Sequence, residues 1–188
     1  MNLFINAISQ QGIILSFDEN RQIIETLEID ILWRESKDLG SIIDNFVKNN
    51  LWGYQNLKRI ILVHGPGSFT GIRAVVLTIN TIKFLFPHIQ LTPLSYFSLF
   101  HKFPIIKASS KKDLFVQIEE KGSIVILKNE DFFALCEERK IEKIYGDELL
   151  GGILKFEKSP DYDTIVQEVK FEDVPMISPL YIKKPNIS

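Results

Sequence analysis

A single cysteine, Cys136, stands in a chain of 188 residues, so no internal disulfide can form and a reducing compartment suits the sequence. No cation precedes Arg21 and no apolar run approaches the length of a membrane span. Neither a signal peptide nor an anchor is therefore indicated, and the expectation is a cytoplasmic protein without membrane contact. His64, His88 and His101 lack metal-ligand spacing and have no acids clustered about them, so no metal site is expected. Repeats and low-complexity tracts are absent as well, and 45% hydrophobic residues suffice for a sizeable core in one domain or two small lobes.

Acids are missing from one region. Residues 1–44 carry eight acids and three bases, residues 45–112 nine bases and no acid, and residues 113–188 sixteen acids and ten bases, for a net charge of only −2. The middle could present a basic surface to nucleic acid or to an acidic partner. The plainer reading is an ordinary density of bases in a core-rich segment, and the lack of aromatics interleaved with bases favours it.

What is present is a glycine turn between two regular elements. Arg59 to His64 is a short β-branched run that reads as a buried strand, and Gly71 to Pro87 reads as a helix ended by proline. Between them lies Gly65-Pro66-Gly67-Ser68-Phe69-Thr70-Gly71-Ile72-Arg73. A helix start presents free N–H groups and can bind an anion. The spacing nevertheless suits no common nucleotide loop. No lysine lies between Arg59 and Lys83, which excludes a Walker A loop, and the glycines run G-x-G-x-x-x-G where a dinucleotide fold has G-x-G-x-x-G. Ser68 lacks a nucleophile elbow and reads as the helix cap. Arg73 opposes the helix dipole, so it either meets an anionic ligand or a carboxylate or is simply solvated at a negligible penalty. Phe69 either packs under the loop or faces a partner. The acid pairs Glu119-Glu120 and Glu137-Glu138 fall on turns or solvated faces, and Cys136 reads as a core residue.

The remaining pattern predicts strands at 2–8, 12–17 and 21–29, a helix from a Ser36 cap to about Asn50, and a helix starting at Thr92-Pro93 and running to Phe100. Beyond Pro104 it predicts a hairpin over 114–127 around Glu120-Lys121-Gly122, a helix at 130–140 and a strand at 141–145. Two domains follow, 1–104 and a small, reduced 105–188. The long helix carries the stripe Ile72, Val75, Val76, Ile79, Ile82 and Phe86, yet Ala74, Leu77, Phe84 and Leu85 occupy other sides. It is either sandwiched within the fold or meets another chain.

The nine residues GPGSFTGIR, Gly65 through Arg73, resemble the signature of the TsaB (YeaZ-type) family of bacterial proteins of threonylcarbamoyladenosine biosynthesis. Pro179-Leu180-Tyr181-Ile182-Lys183 resembles the family's terminal Pro-x-Tyr-Leu-Arg, with lysine in place of arginine. The resemblance implies an α/β, actin-like or ribonuclease-H-like ATPase fold (ASKHA), with a β-β-β-α-β-α first lobe. It also implies a non-catalytic partner of a TsaD-like subunit, which transfers the threonylcarbamoyl group to the adenosine beside the tRNA anticodon. A TsaE-like ATPase and a second copy of the chain are further implied partners, tRNA is reached only through the complex, and no cofactor is expected. The implied interface is Gly65, Pro66, Gly67, Ser68, Phe69, Thr70, Gly71, Ile72, Arg73, Val76, Leu77 and Asn80. Departures concern the nucleotide: Asn6-Ala7 stands where the family commonly has Asp-Thr, and no second-lobe Asp-Ala-Arg is found. Asparagine cannot supply the anionic oxygens that Mg²⁺ prefers. The competing reading is an enzyme that binds a nucleotide or anion at 65–71.

Overall fold

Three strands joined by tight turns, then two more reached across helices, build the first sheet of this computed structural model, which describes residues 1–9, 11–30, 39–51, 53–110, 112–146, 155–157 and 160–182. Strands β1 (Asn2–Asn6), β2 (Gln11–Phe17) and β3 (Ile23–Asp30) form the antiparallel meander that their turn residues predict. Helix α1 (Leu39–Leu51) follows; its expected cap, Ser36, lies outside the described residues. β4 (Arg59–Val63) pairs in parallel with β1, and after helix α2 (Phe69–Leu85) strand β5 (Gln90–Leu94) pairs in parallel with β4. The order is β3-β2-β1-β4-β5. β4 is buried along its length, which is why it reads as a continuous apolar run. Ile43, Phe46 and Val47 of α1 join Ile72, Val75, Ile79 and Ile82 of α2 over Leu3, Ile5, Ile14, Ile60 and Leu62 in one core.

The predicted helix at Thr92-Pro93 is instead β5, followed by a 3-10 turn at Tyr96–Leu99. Proline at a helix start and proline in an edge strand look alike in sequence, because neither position requires its missing N–H.

A second unit comprises Phe97–Asp161 and Tyr181–Ser188. It holds β6 (Ile105–Ala108), β7 (Asp113–Gln117), β8 (Val125–Lys128), helix α3 (Asn129–Glu138), β9 (Lys143–Gly146) and β10 (Lys155–Glu157), in sheet order β10-β9-β6-β7-β8. Ile106, Leu114, Val116 and Ile144 pack with Phe132 and Cys136 of α3. Burial pushes the Cys136 thiol pKa up, as fits a core cysteine. The hairpin and α3 fall where the sequence predicts them, whereas β6 and β10 were not anticipated.

The first unit is Met1–Tyr96 together with Tyr162–Leu180, so the division falls at Tyr96 rather than the expected 104, and a late segment returns to the first sheet. That segment is helix α4 (Tyr162–Glu168) and a strap, residues 169–180. Arg21, in the left-handed region at φ 64°, donates from Nη1 to the carbonyls of Val166, Gln167 and Val169 at 2.9, 2.7 and 2.9 Å. Those are carbonyls at and just past the end of α4, where a cation also complements the dipole.

The acid-free middle finds its counter-charges elsewhere. Lys48 pairs with Asp44, Lys58 with Glu19 and Arg59 with Asp173, and Lys83 donates to the carbonyls of Pro87 and Ile89. These pairings favour the plainer reading of that charge excess.

Candidate functional site

Strand β4 ends at Val63, and the backbone then turns into α2 through the glycine segment. Ser68 caps α2: its Oγ accepts from Gly71 N at 3.1 Å, and its carbonyl accepts from Ile72 N at 3.0 Å. Gly71 belongs to the cap, since a Cβ there would stand 2.7 Å from Ser68 Oγ. The Ile72 bond is the first regular one of the helix, and the cap takes the Gly71 N–H, one of the otherwise unpaired donors of the first turn.

Gly65 has a different reason. Its φ is 137°, and a Cβ would stand 2.6 Å from the Leu180 carbonyl oxygen of the strap. Around it, Leu180 N donates to His64 O at 3.0 Å, and His64 Nδ1 lies 2.7 Å from Ser178 O. His64 is thus held in a structural contact with the strap. Asn6 is held likewise. Its buried amide donates to Ser9 Oγ at 3.1 Å and to the Tyr162 hydroxyl at 3.3 Å, and its Oδ1 accepts from Ile8 N at 3.4 Å.

Along α2 the apolar residues sort into a buried stripe and an exposed ridge. Ile72 and Val76 belong to the stripe and Gly65 and Pro66 are buried, so these four expected interface residues are corrected to interior positions. They face inward because the sheet takes up that side of the helix. Asn80 is half-buried and bonded to the strap: its Nδ2 donates to Ile177 O at 2.9 Å and its Oδ1 accepts from Ile177 N at 3.0 Å. Gly67, Ser68 and Gly71 are half-buried.

The ridge runs Phe69, Arg73, Leu77, Thr81 and Phe84, spaced by four, four, four and three residues, with Thr70 and Leu85 beside it. Leu77 is 69% exposed and Phe84 82%. Among the described residues no carboxylate pairs with Arg73; its guanidinium lies over the Phe69 ring at 5.1 Å. That contact, worth roughly 0.5–1 kcal/mol at an exposed site, accounts for both the unmatched cation and the aromatic in the turn. No cluster of metal-binding side chains exists among the described residues.

Sequence reasoning missed the strap. Its signals were an asparagine within a mostly apolar helix, Asn80, and an arginine opening a buried strand, Arg59, each of which meets the strap through side-chain hydrogen bonds or charge.

No protein-family model and no curated protein sequence matches the chain. Its fold matches a crystal structure described as an uncharacterized protein with similarity to peptidase YeaZ from Pseudomonas aeruginosa, with TM-score 0.69 and 12% identity over 97% of this chain and 99% of that one. It also matches YeaZ from Pseudomonas aeruginosa, with TM-score 0.60 and 11% identity over 85% of this chain and 82% of that one. At these identities the likeness is one of fold: the chain has a YeaZ-like α/β fold with two sheets. No helix among the described residues is long and apolar enough to cross a membrane.

Proposed function

We propose that the chain is a non-catalytic, TsaB-like partner of the complex that makes threonylcarbamoyladenosine in tRNA, docking a TsaD-like transferase on the exposed ridge of α2 and activating it. The observation that carries this reading is the ridge itself. Phe69, Leu77, Phe84 and Leu85 are large apolar side chains left in solvent on one helix, directly after the nine-residue signature. An interface of standard size buries about 800 Å² per partner, which two neighbouring helices can supply. Scattered surface leucines need no explanation, but a continuous ridge marks a contact.

Further support comes from the sheet. A meander followed by two parallel strands, in the order β3-β2-β1-β4-β5, fits the ribonuclease-H-like lobe of an actin-like ATPase. The commitment of Asn6 to Ser9 and Tyr162, and of the Gly71 N–H to Ser68, favours a partner over a nucleotide enzyme. In this reading a TsaE-like ATPase joins the complex, tRNA is met only there, a second copy competes for the same ridge, and the setting is the cytoplasm.

The test is co-purification of full-length Leu77→Asp and Arg73→Glu variants with a TsaD-like subunit. Both positions are exposed, so melting temperature is expected to hold within the range of ordinary surface substitutions. Complex recovery should fall at least about tenfold, since Leu77→Asp puts a charge in place of an apolar contact and Arg73→Glu reverses the charge of the ridge beside it. Normal recovery with both variants would remove the ridge from the interface.

A further inference from the structure

We propose that the outer edge of β3 docks an extended, basic segment of another polypeptide, which adds to the first sheet as a new strand. This site is separate from the α2 ridge and does not rest on the tRNA-modification reading. β3 closes one side of the sheet over eight residues, and among the described residues no chain pairs with its outer side. An unpaired strand presents N–H and C=O groups to any extended chain that can lie beside it.

The side chains select which chain. β3 carries Glu25, Glu28 and Asp30 and no base. Its central residues are exposed on both faces, Ile24 at 51% and Leu27 at 37%. Leu27 lies opposite Ile14 and Glu25 opposite Ser16, while Thr26 lies opposite Leu15 and Glu28 opposite Ile13, so each face of the strand offers an acid and an apolar or threonine neighbour. The order Ile24-Glu25-Thr26-Leu27-Glu28 repeats an apolar–acid pair at a spacing of three. The complementary antiparallel strand therefore has basic residues three apart, each followed by an apolar one, which sets a cation against each glutamate and an apolar side chain against Ile24 and Leu27.

A second copy of β3 supplies no such match. Paired with itself about Thr26 it sets Glu25 against Leu27 and Glu28 against Ile24; shifted by one residue it sets Glu25 against Glu28. Like charges opposite one another are destabilising, so the same carboxylates that discourage self-pairing favour a basic strand. A nucleic acid would meet the carboxylates of Glu25 and Glu28 and no base on β3.

The test uses the full chain, isotope-labelled, titrated with the acetylated peptide TKLTKIT and followed by NMR. Saturable amide shifts confined to β3 and β2, weakened by high salt, are expected. The double variant Glu25→Lys/Glu28→Lys should lose the peptide by about tenfold and gain the charge-swapped TELTEIT by a similar factor. Glu25→Gln/Glu28→Gln should bind neither preferentially, which serves as a second arm if the lysine variant folds poorly. Absence of shifts at β3, or equal binding of TKLTKIT by parent and both variants, would overturn the proposal. Concentration-dependent dimerisation through β3, abolished by the double variant, would overturn it in favour of a second copy.

Discussion

The two borders of the first sheet, β5 and β3, differ in what holds them. Beside β5 the strap makes one backbone bridge, Val174 N to Leu91 O at 2.9 Å. Asp173 meets Arg59 and accepts from Thr92 Oγ1 at 3.0 Å, and Phe171 lies under Arg59 and Arg21 at 4.1 and 4.5 Å. Ile177 is buried in the sheet–helix core. At the β3 side the contacts sit before the strand begins, where Arg21 reaches α4 and the strap, and among the described residues no strand pairs with the outer side of β3. The β5 border is thus built into the stability of the unit along the strand, whereas the described residues pair nothing with the length of β3, so substitutions of similar size should have very different consequences on the two sides.

The largest effect is expected at Gly65. Valine there must adopt φ near 137° and place Cβ 2.6 Å from the Leu180 carbonyl oxygen, so either the turn or the strap must shift. Backbone strain of this kind costs about 1–3 kcal/mol, and losing the strap's packing adds to it. Urea unfolding should show a loss of about 3 kcal/mol. A variant as stable as the parent would mean that the strap does not rest on this turn.

Next comes Arg59→Met. The methionine keeps much of the stem's packing but leaves Asp173 without its cation, and it removes the donors to Gln90 Oε1 at 2.6 Å and Thr92 Oγ1 at 3.1 Å. Because Arg59 is nearly buried while Asp173 is partly exposed, water can resolvate the stranded carboxylate in part. The expected loss is about 2 kcal/mol in urea unfolding. A change below about 0.5 kcal/mol would place this border among ordinary surface features.

How much of this asymmetry could be read beforehand depends on how local its causes are. The meander was legible because each turn carries its own polar residues, and α2 because its cap, Ser68, and its terminating Pro87 lie within the segment itself. The strap was not legible. It has no periodicity over 169–180, and its anchors are single residues such as Asn80, 97 positions from Ile177 in sequence. For the candidate site, apolarity around α2 revealed that more than one side was covered or contacted, but not which. Val76 and Leu77 are adjacent and similar in kind; only the sheet's position makes one core and the other ridge. Likewise Arg73 signalled a missing counterpart, and the one it finds is an aromatic ring four residues earlier.

Asn80→Ala sharpens the strapped side further. It removes both hydrogen bonds to the Ile177 backbone without altering the exposed ridge. Two part-buried backbone groups then lack partners, at a cost of about 1–2 kcal/mol. Amide exchange should accelerate at Ile177 more than in β1, and the effect should be confined to the strap if its anchors act locally. Uniform acceleration throughout the first unit would show that the strap and the sheet open together.

The smallest effect belongs to the β3 border. Ile24→Thr keeps a β-branched side chain and Leu27→Thr introduces one, and both alter side chains that already meet solvent, so each should change stability by no more than about 0.5 kcal/mol. Threonine also lowers the apolar content of an unpaired edge, so the variants should aggregate less on heating, an outcome light scattering reads directly. A loss above about 1.5 kcal/mol at either position would mean that this side chain carries burial comparable to a core contact. The two borders would then be alike in kind, and β3 could no longer be treated as an edge held open for another chain.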